Sequence, residues 1–158
     1  MYPNKQGKTD YKKHDKSDSY RKPNPPMEYK ELTNNNDDSY VDYARRVIIH
    51  LNSLGGNLLS TSQIRNLLSL NSEIYNIVIT GDNNAPLSES VKAKLQYLKV
   101  RMVYDSGRDD KVKAFVLNSH LIDHIDWIGD SRERYMLFSK YMEALVAYRK
   151  FEGKGKDS

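Results

Sequence analysis

SVKAKLQYLKVRMVYDSGRDDKVK, residues 90–113, decides the fold. Val91, Leu95, Leu98 and Met102 recur at the spacing of a single helix face, so this stretch is an amphipathic helix with one side to bury. Lys92, Lys94, Lys99, Arg101, Arg108, Lys111 and Lys113 surround that stripe, set against Asp105, Asp109 and Asp110. At about 100° per residue, Lys94, Arg101 and Arg108 fall together on one flank, and Lys92 and Lys99 on the other. Lysines beside an apolar stripe commonly do no more than solvate a helix. Cations held in rank, with nothing near them to do chemistry, point instead to a polyanion.

Helical patterns continue on both sides. Upstream, Asp38 or Ser39 caps a helix reaching about Leu54, with Tyr40, Tyr43, Ala44, Val47, Leu51 and Leu54 inward, and Gly55-Gly56 stops it. Ser60, Thr61 or Ser62 caps a second helix to about Ile79, burying Ile64, Leu67, Leu68, Leu70, Ile74, Tyr75 and Val78. Arg65 points away from that stripe, toward Ser69, Ser72 and Asn76. Ser88, or the Pro86–Ser88 turn, opens the third helix, which ends near Gly107. Asp109 or Asp110 caps a fourth segment carrying Val112, Phe115 and Val116, with a bend near Asn118–Ser119 before Leu121, Ile122, Ile125 and Ile128. Gly129 interrupts, and Asp130 or Ser131 starts a last helix to about Phe151, burying Phe138, Tyr141, Leu145 and Tyr148. The apolar runs 77–79 and 100–104 sit inside these helical periods rather than forming strands. The fold predicted is all-α: a compact bundle of five or six helices over residues 39–153.

The flanks are different. Residues 1–38 read as a disordered polar tail, since Leu32 is their only Leu, Ile, Val or Phe, and Pro23, Pro25, Pro26 and the Asn34–Asn36 run break any period. Such a segment has almost nothing to bury, so removing residues 1–36 is expected to leave the fold intact. Tyr2, Tyr11, Tyr20 and Tyr29 recur every nine residues, the last three followed by Lys or Arg. Aromatic rings among cations can stack on unpaired bases, but nine matches no packed repeat and a polar tail is the commoner reading. Residues 154–158 form a flexible end.

Charge has to be read by position. The formal net charge is +4, with 8 Lys/Arg against 7 Asp/Glu in the first 38 residues and 17 against 14 in the rest. An excess this small says nothing by itself about nucleic acid. The chain has no cysteine, which removes disulfides and thiolate metal sites and suits a reducing cytosol. No apolar run approaches the ~20 residues of a membrane span, and no signal-peptide core opens the chain. A soluble cytoplasmic protein is expected.

Catalytic patterns are missing. There is no Gly-x-Ser-x-Gly elbow and no phosphate-cradling Gly-x-x-x-x-Gly-Lys-Ser/Thr loop. His120 and His124 stand at i and i+4, a zinc-compatible spacing, yet no glutamate follows the first and no third ligand is evident. Asp109-Asp110 reads as a helix cap before it reads as a magnesium site. No enzyme, no metal and no cofactor are expected. The basic positions carry the functional reading: arginine forks bind two phosphate oxygens at once, which puts Arg65, Arg101 and Arg108 ahead of Lys94 and Lys99. Arg45 and Arg46 on the first helix could join them.

Three stretches carry a resemblance. They are Thr61-Ser62-Gln63-Ile64-Arg65-Asn66-Leu67, LQYLKVRMVYDSGR at Leu95–Arg108, and KYMEALVAYRKF at Lys140–Phe151. In order and spacing, across about residues 39–153, the chain resembles the small subunit of the type III-A CRISPR (Csm) effector complex. The run Phe115, Leu121 and Ile128-Gly129-Asp130-Ser131 fits as well. The resemblance implies a helical, non-catalytic subunit. Several copies of it would stack along a guide RNA–target RNA duplex, beside the complex's backbone subunits and its large polymerase-like subunit, in antiviral defence. Arg65, Lys99, Arg101 and Arg108 match the family's basic positions, and Lys94 rests on the helical wheel alone. Holding phosphates and 2′-hydroxyls while base pairing reads sequence suits such a subunit. Stacking needs head-to-tail surfaces, for which Ile49, Met136 and Ala147 are candidates. The competing reading is a helical protein–protein interaction module with no nucleic-acid contact.

Overall fold

A computed structural model describes residues 25–55 and 58–152. It contains six helices and, among the described residues, no strand: α1 Tyr40–Ser53, α2 Thr61–Thr80, α3 Glu89–Arg108, α4 Asp110–Ser119, α5 Leu121–Ile128 and α6 Arg132–Glu152. The all-α expectation holds. Hydroxyl and carboxylate caps set the helix starts, because each supplies an acceptor for N–H groups the first turn cannot satisfy. Ser39 accepts from Asp42 N, Ser88 from Val91 N, and Asp109 from Lys111 N and Val112 N. Ser60 and Gln63 form a full capping box on α2.

α6 is the central element, packed on α1, α2 and α5. Its Tyr135, Phe138, Tyr141 and Leu145 are completely enclosed. Buried hydroxyls need partners, and these have them: Tyr135 donates to Asn71 Oδ1 at 2.9 Å and Tyr141 to the Ser119 carbonyl at 2.8 Å. Asn71 Nδ2 donates in turn to Ser139 Oγ at 3.1 Å, completing a polar stitch between α2 and α6. Arg132, in the first turn of α6, caps the other end of α2 by donating to the Val78 carbonyl and, at 2.7 Å, to Asn83 Oδ1. A cation at a helix C-terminus also meets the negative end of its dipole.

The buried face of α1 is wider than the sequence stripe, since α1 packs on both α4 and α6. Ile48 is fully buried, whereas Leu54, expected inward, lies at the C-cap and is exposed. The bend expected near Asn118–Ser119 is a break at His120, which takes a left-handed φ of 55° between α4 and α5. Gly129, also at φ 55°, ends α5.

The tail boundary read at residue 38 changes in part. Residues 1–24, with Tyr2, Tyr11 and Tyr20, lie outside the described residues, as do 153–158. Residues 25–37, without helix, form a strap across the bundle. Leu32 is only 5% exposed and belongs to the core. Met27 N donates to Asn118 Oδ1 at 3.1 Å, the Met27 carbonyl pairs with His120 Nε2, and the Tyr43 hydroxyl donates to the Glu28 carbonyl at 3.4 Å. The expectation that residues 1–36 bury almost nothing is therefore corrected for the strap. Composition underrates a segment that spends one leucine well placed.

Candidate nucleic-acid interface

α3 sets the cations. Its Val91, Leu95, Leu98 and Met102 are buried against α2, α4 and α5, which fixes the rotation of the helix and turns Lys94, Arg101 and Arg108 to one side. These three lie seven residues apart, so they stand in a row with about 10.5 Å between neighbours along the axis. Arg101 and Arg108 line a groove of about 310 Å³ where α3 meets the start of α2 and the start of α4. Gln63, Asn66 and Leu67 come from α2, and Asp105, Asp109 and Val112 complete the walls.

The charges in this groove are not equivalent. Arg101 Nη2 lies 3.6 Å from Asp105 Oδ1, a long, partly exposed pair worth little. Asp109 is occupied by capping: hydrogen bonds from the Val112 N–H, the Gln63 amide and the Lys111 N–H hold its carboxyl below the ordinary value. Neither Arg108 nor Lys94 has a carboxylate in ion-pair range among the described residues. Both Arg101 and Arg108 place their guanidinium carbon 5.5 Å from the Tyr104 ring centroid. The groove thus offers two arginine forks and the Asn66 side-chain amide, suited to phosphate and hydroxyl oxygens.

The other basic positions go elsewhere. Arg65 is exposed, but at about 100° per residue it lies roughly 150° around α2 from the Gln63, Asn66 and Leu67 side. It does not line the groove. Lys99 is on the α5 flank of α3, where its Nζ meets Asp126 Oδ1 at 2.7 Å. Lys92 beside it pairs with Glu89 at 2.6 Å, which raises the lysine's pKa. Arg45 is spoken for by Glu152 at 3.2 Å and Arg46 by Asp38 at 2.7 Å. Tyr97 and Tyr104 lie outside the buried stripe of α3. They are 57% and 52% exposed.

The histidine pair divides. His120 uses Nδ1 toward Asp123 at 2.8 Å and Nε2 toward the Met27 carbonyl, fastening the strap. His124 is fully buried among the rings of Tyr29 at 5.0 Å, Tyr141 at 5.2 Å and Tyr43 at 6.0 Å. Burial, then the neighbouring His120, pushes its pKa down to about 4, so it is a neutral core ring. Among the described residues no three His, Cys, Asp or Glu side chains gather as a metal-sized group. No helix among them is long and apolar enough to cross a membrane.

Gln63, Arg101 and Arg108 lie in two of the three stretches that carry the resemblance. In the third, Arg149 is 2% exposed and its Nε donates to the Leu59 carbonyl at 2.8 Å, anchoring the α1–α2 connection to α6. Residues 35–155 match the family Csm2 Type III-A. Among characterised relatives, the CRISPR system Cms protein Csm2 of Mycobacterium tuberculosis is 42% identical over 114 residues, 72% of this chain and 91% of that protein. The Csm2 proteins of Streptococcus thermophilus and Enterococcus italicus are 41% and 39% identical, over 77% and 60% of this chain and 96% and 69% of their own length. With the helical bundle and these matches together, the chain belongs to the Csm2 type III-A family and is a small subunit of the type III-A CRISPR Csm complex.

Proposed function

We propose that this subunit is a non-catalytic RNA holder that stacks in several copies along the guide RNA–target RNA duplex and grips its backbone without reading sequence. The observation that carries the reading is the row Lys94, Arg101 and Arg108 on one exposed flank of α3, two of the three free of carboxylates among the described residues. Arg101 and Arg108 share their groove with the Asn66 amide, a donor set for phosphates and 2′-hydroxyls that ignores base identity. Arg65 and Lys99 belong to the same proposal on other faces of α2 and α3, where they would meet a second strand or a neighbouring nucleic-acid segment. Cytoplasmic assembly with the backbone and large polymerase-like subunits, in antiviral defence, completes the reading.

Equilibrium binding of a labelled RNA duplex across a salt series tests it. Arg101→Ala with Arg108→Ala should weaken binding and flatten the dependence of log K on log salt by about one unit per lost phosphate contact. Equal binding and slope in the double variant would discard the site.

A second reading has its own support. Val100 and Val103, 60% and 56% exposed, stand farther round the outward side of α3 than the row, and exposed aliphatic residues grouped together suit a protein neighbour. On this reading α3 docks another subunit, and the cations merely border the contact.

A further inference from the structure

The row of cations on α3 is one half of a longer pattern. Lys94, Tyr97, Arg101, Tyr104 and Arg108 alternate cation and tyrosine at spacings of three and four, the period that keeps residues on one helix face. The burial of Val91, Leu95, Leu98 and Met102 turns this face outward, and both tyrosines are more than half exposed. An exposed tyrosine flanked by arginines offers a flat ring for a base and a fork for the phosphate beside it. Duplex binding needs only the forks, since paired bases are stacked on one another and present no free face.

We infer that the outward face of α3 is a stacking platform for unpaired nucleotides of single-stranded RNA, with Tyr97 and Tyr104 as base seats and Lys94, Arg101 and Arg108 as phosphate contacts. The inference rests on the nucleic-acid reading of α3 and adds a preference for unpaired RNA. Tyr97 is the open seat, because no cation lies over its ring among the described residues. Tyr104 carries both guanidinium groups at 5.5 Å, and these swing to phosphates as a base arrives. The two seats are separated by seven residues, about 10.5 Å along the helix, a distance that an extended strand bridges with a nucleotide between the seated bases. The charge complementarity of the row favours a polyanion over an apolar protein surface for this strip, Val100 lying beside it and Val103 farther round the helix.

Fluorescence anisotropy on the full chain separates the possibilities, using a short labelled oligouridine and a blunt labelled RNA duplex in parallel salt series. Tyr97→Ala and Tyr104→Ala together should weaken oligouridine binding by about 10- to 100-fold, in line with stacking measured by alanine substitution. The salt slope should stay unchanged and duplex binding should hold. Tyr97→Phe should retain the affinity and Tyr97→Leu should lose it, since the flat ring is what matters. Equal rescue by Leu and Phe, equal loss on duplex and single strand, or wild-type duplex binding with no oligouridine binding would each overturn the platform. The last result would leave the backbone-holding proposal standing. If Arg101→Ala with Arg108→Ala also left duplex binding untouched, that proposal would fall separately.

Discussion

The Gln63 side-chain amide donates to Asp109 Oδ2 at 2.9 Å while its carbonyl accepts from Ser60 N at 2.8 Å. One glutamine thereby ties the N-terminal cap of α2 to that of α4, directly beneath Arg101 and Arg108. With both ends of its amide satisfied, Gln63 holds two helix starts at a fixed separation and sets the width of the groove.

Asp109 is the more sensitive partner. Asp109→Ala should cost about 1–2 kcal/mol through the lost α4 cap, measurable by urea denaturation at neutral pH. The fold lowers this carboxyl below its ordinary value of 3.8, chiefly through the Val112 N–H and the Gln63 amide. Its contribution is therefore complete above that value and lost as pH falls through the lower folded value. Asp109→Asn keeps a capping oxygen, so it should cost less at neutral pH and flatten the acid limb of the stability profile.

A neutral His124 makes the bundle acid-sensitive in a different window. Its folded pKa of about 4 stands below the ordinary 6.5, so below 6.5 the unfolded chain gains a proton that the folded chain refuses. Stability attributable to this ring is full above 6.5 and declines toward about pH 4, on the order of 1 kcal/mol per pH unit. His124→Phe should remove that decline in urea midpoints taken between these limits. An NMR titration should find the His124 ring neutral at pH 5.5.

Leu32 makes the strap worth its length. Leu32→Ala should cost about 2–4 kcal/mol, the range for emptying a buried leucine site. Deleting residues 1–24 leaves every described contact of the bundle in place and should leave the melting temperature unchanged. Deleting residues 1–36 removes Leu32 and the Met27 and Glu28 backbone bonds to His120, Asn118 and Tyr43. The longer deletion should lower the melting temperature by several degrees in thermal denaturation followed by circular dichroism.

Arg149 should behave as a core residue despite its charge. Arg149→Leu fills comparable apolar volume but leaves the Leu59 carbonyl without its donor, a loss of about 1–3 kcal/mol. Limited proteolysis should then cut the α1–α2 connection faster than in the parent protein.

Much of this molecule was legible before any coordinates. Every helix but α5, which follows α4 without a side-chain cap, announces itself by an apolar period and a capping residue, signals that depend only on neighbours within a few positions. The sequence narrows the starts of α2, α3 and α4 to Ser60–Ser62, Pro86–Ser88 and Asp109–Asp110, among which the structure selects Ser60, Ser88 and Asp109, and Gly129 marks a stop. The family stretches are equally local. Strap packing was not legible, because one leucine among polar residues carries no period. The burial of Arg149 had no local signal, because charge predicts exposure unless a distant carbonyl, here at Leu59, receives it.

Sequence determined which side of α3 is buried and, with it, that Lys94, Arg101 and Arg108 stand in a row. Only the tertiary structure decided that Arg101 and Arg108 of this row share a groove with Gln63 and Asn66 while Arg65 faces elsewhere and Lys99 meets Asp126. The physical reason is geometric. A helical period gives a residue's direction about its own axis, but the rotation of one axis against the next is set by how α2, α4 and α5 pack on α3. Exposed cations contribute almost nothing to that packing.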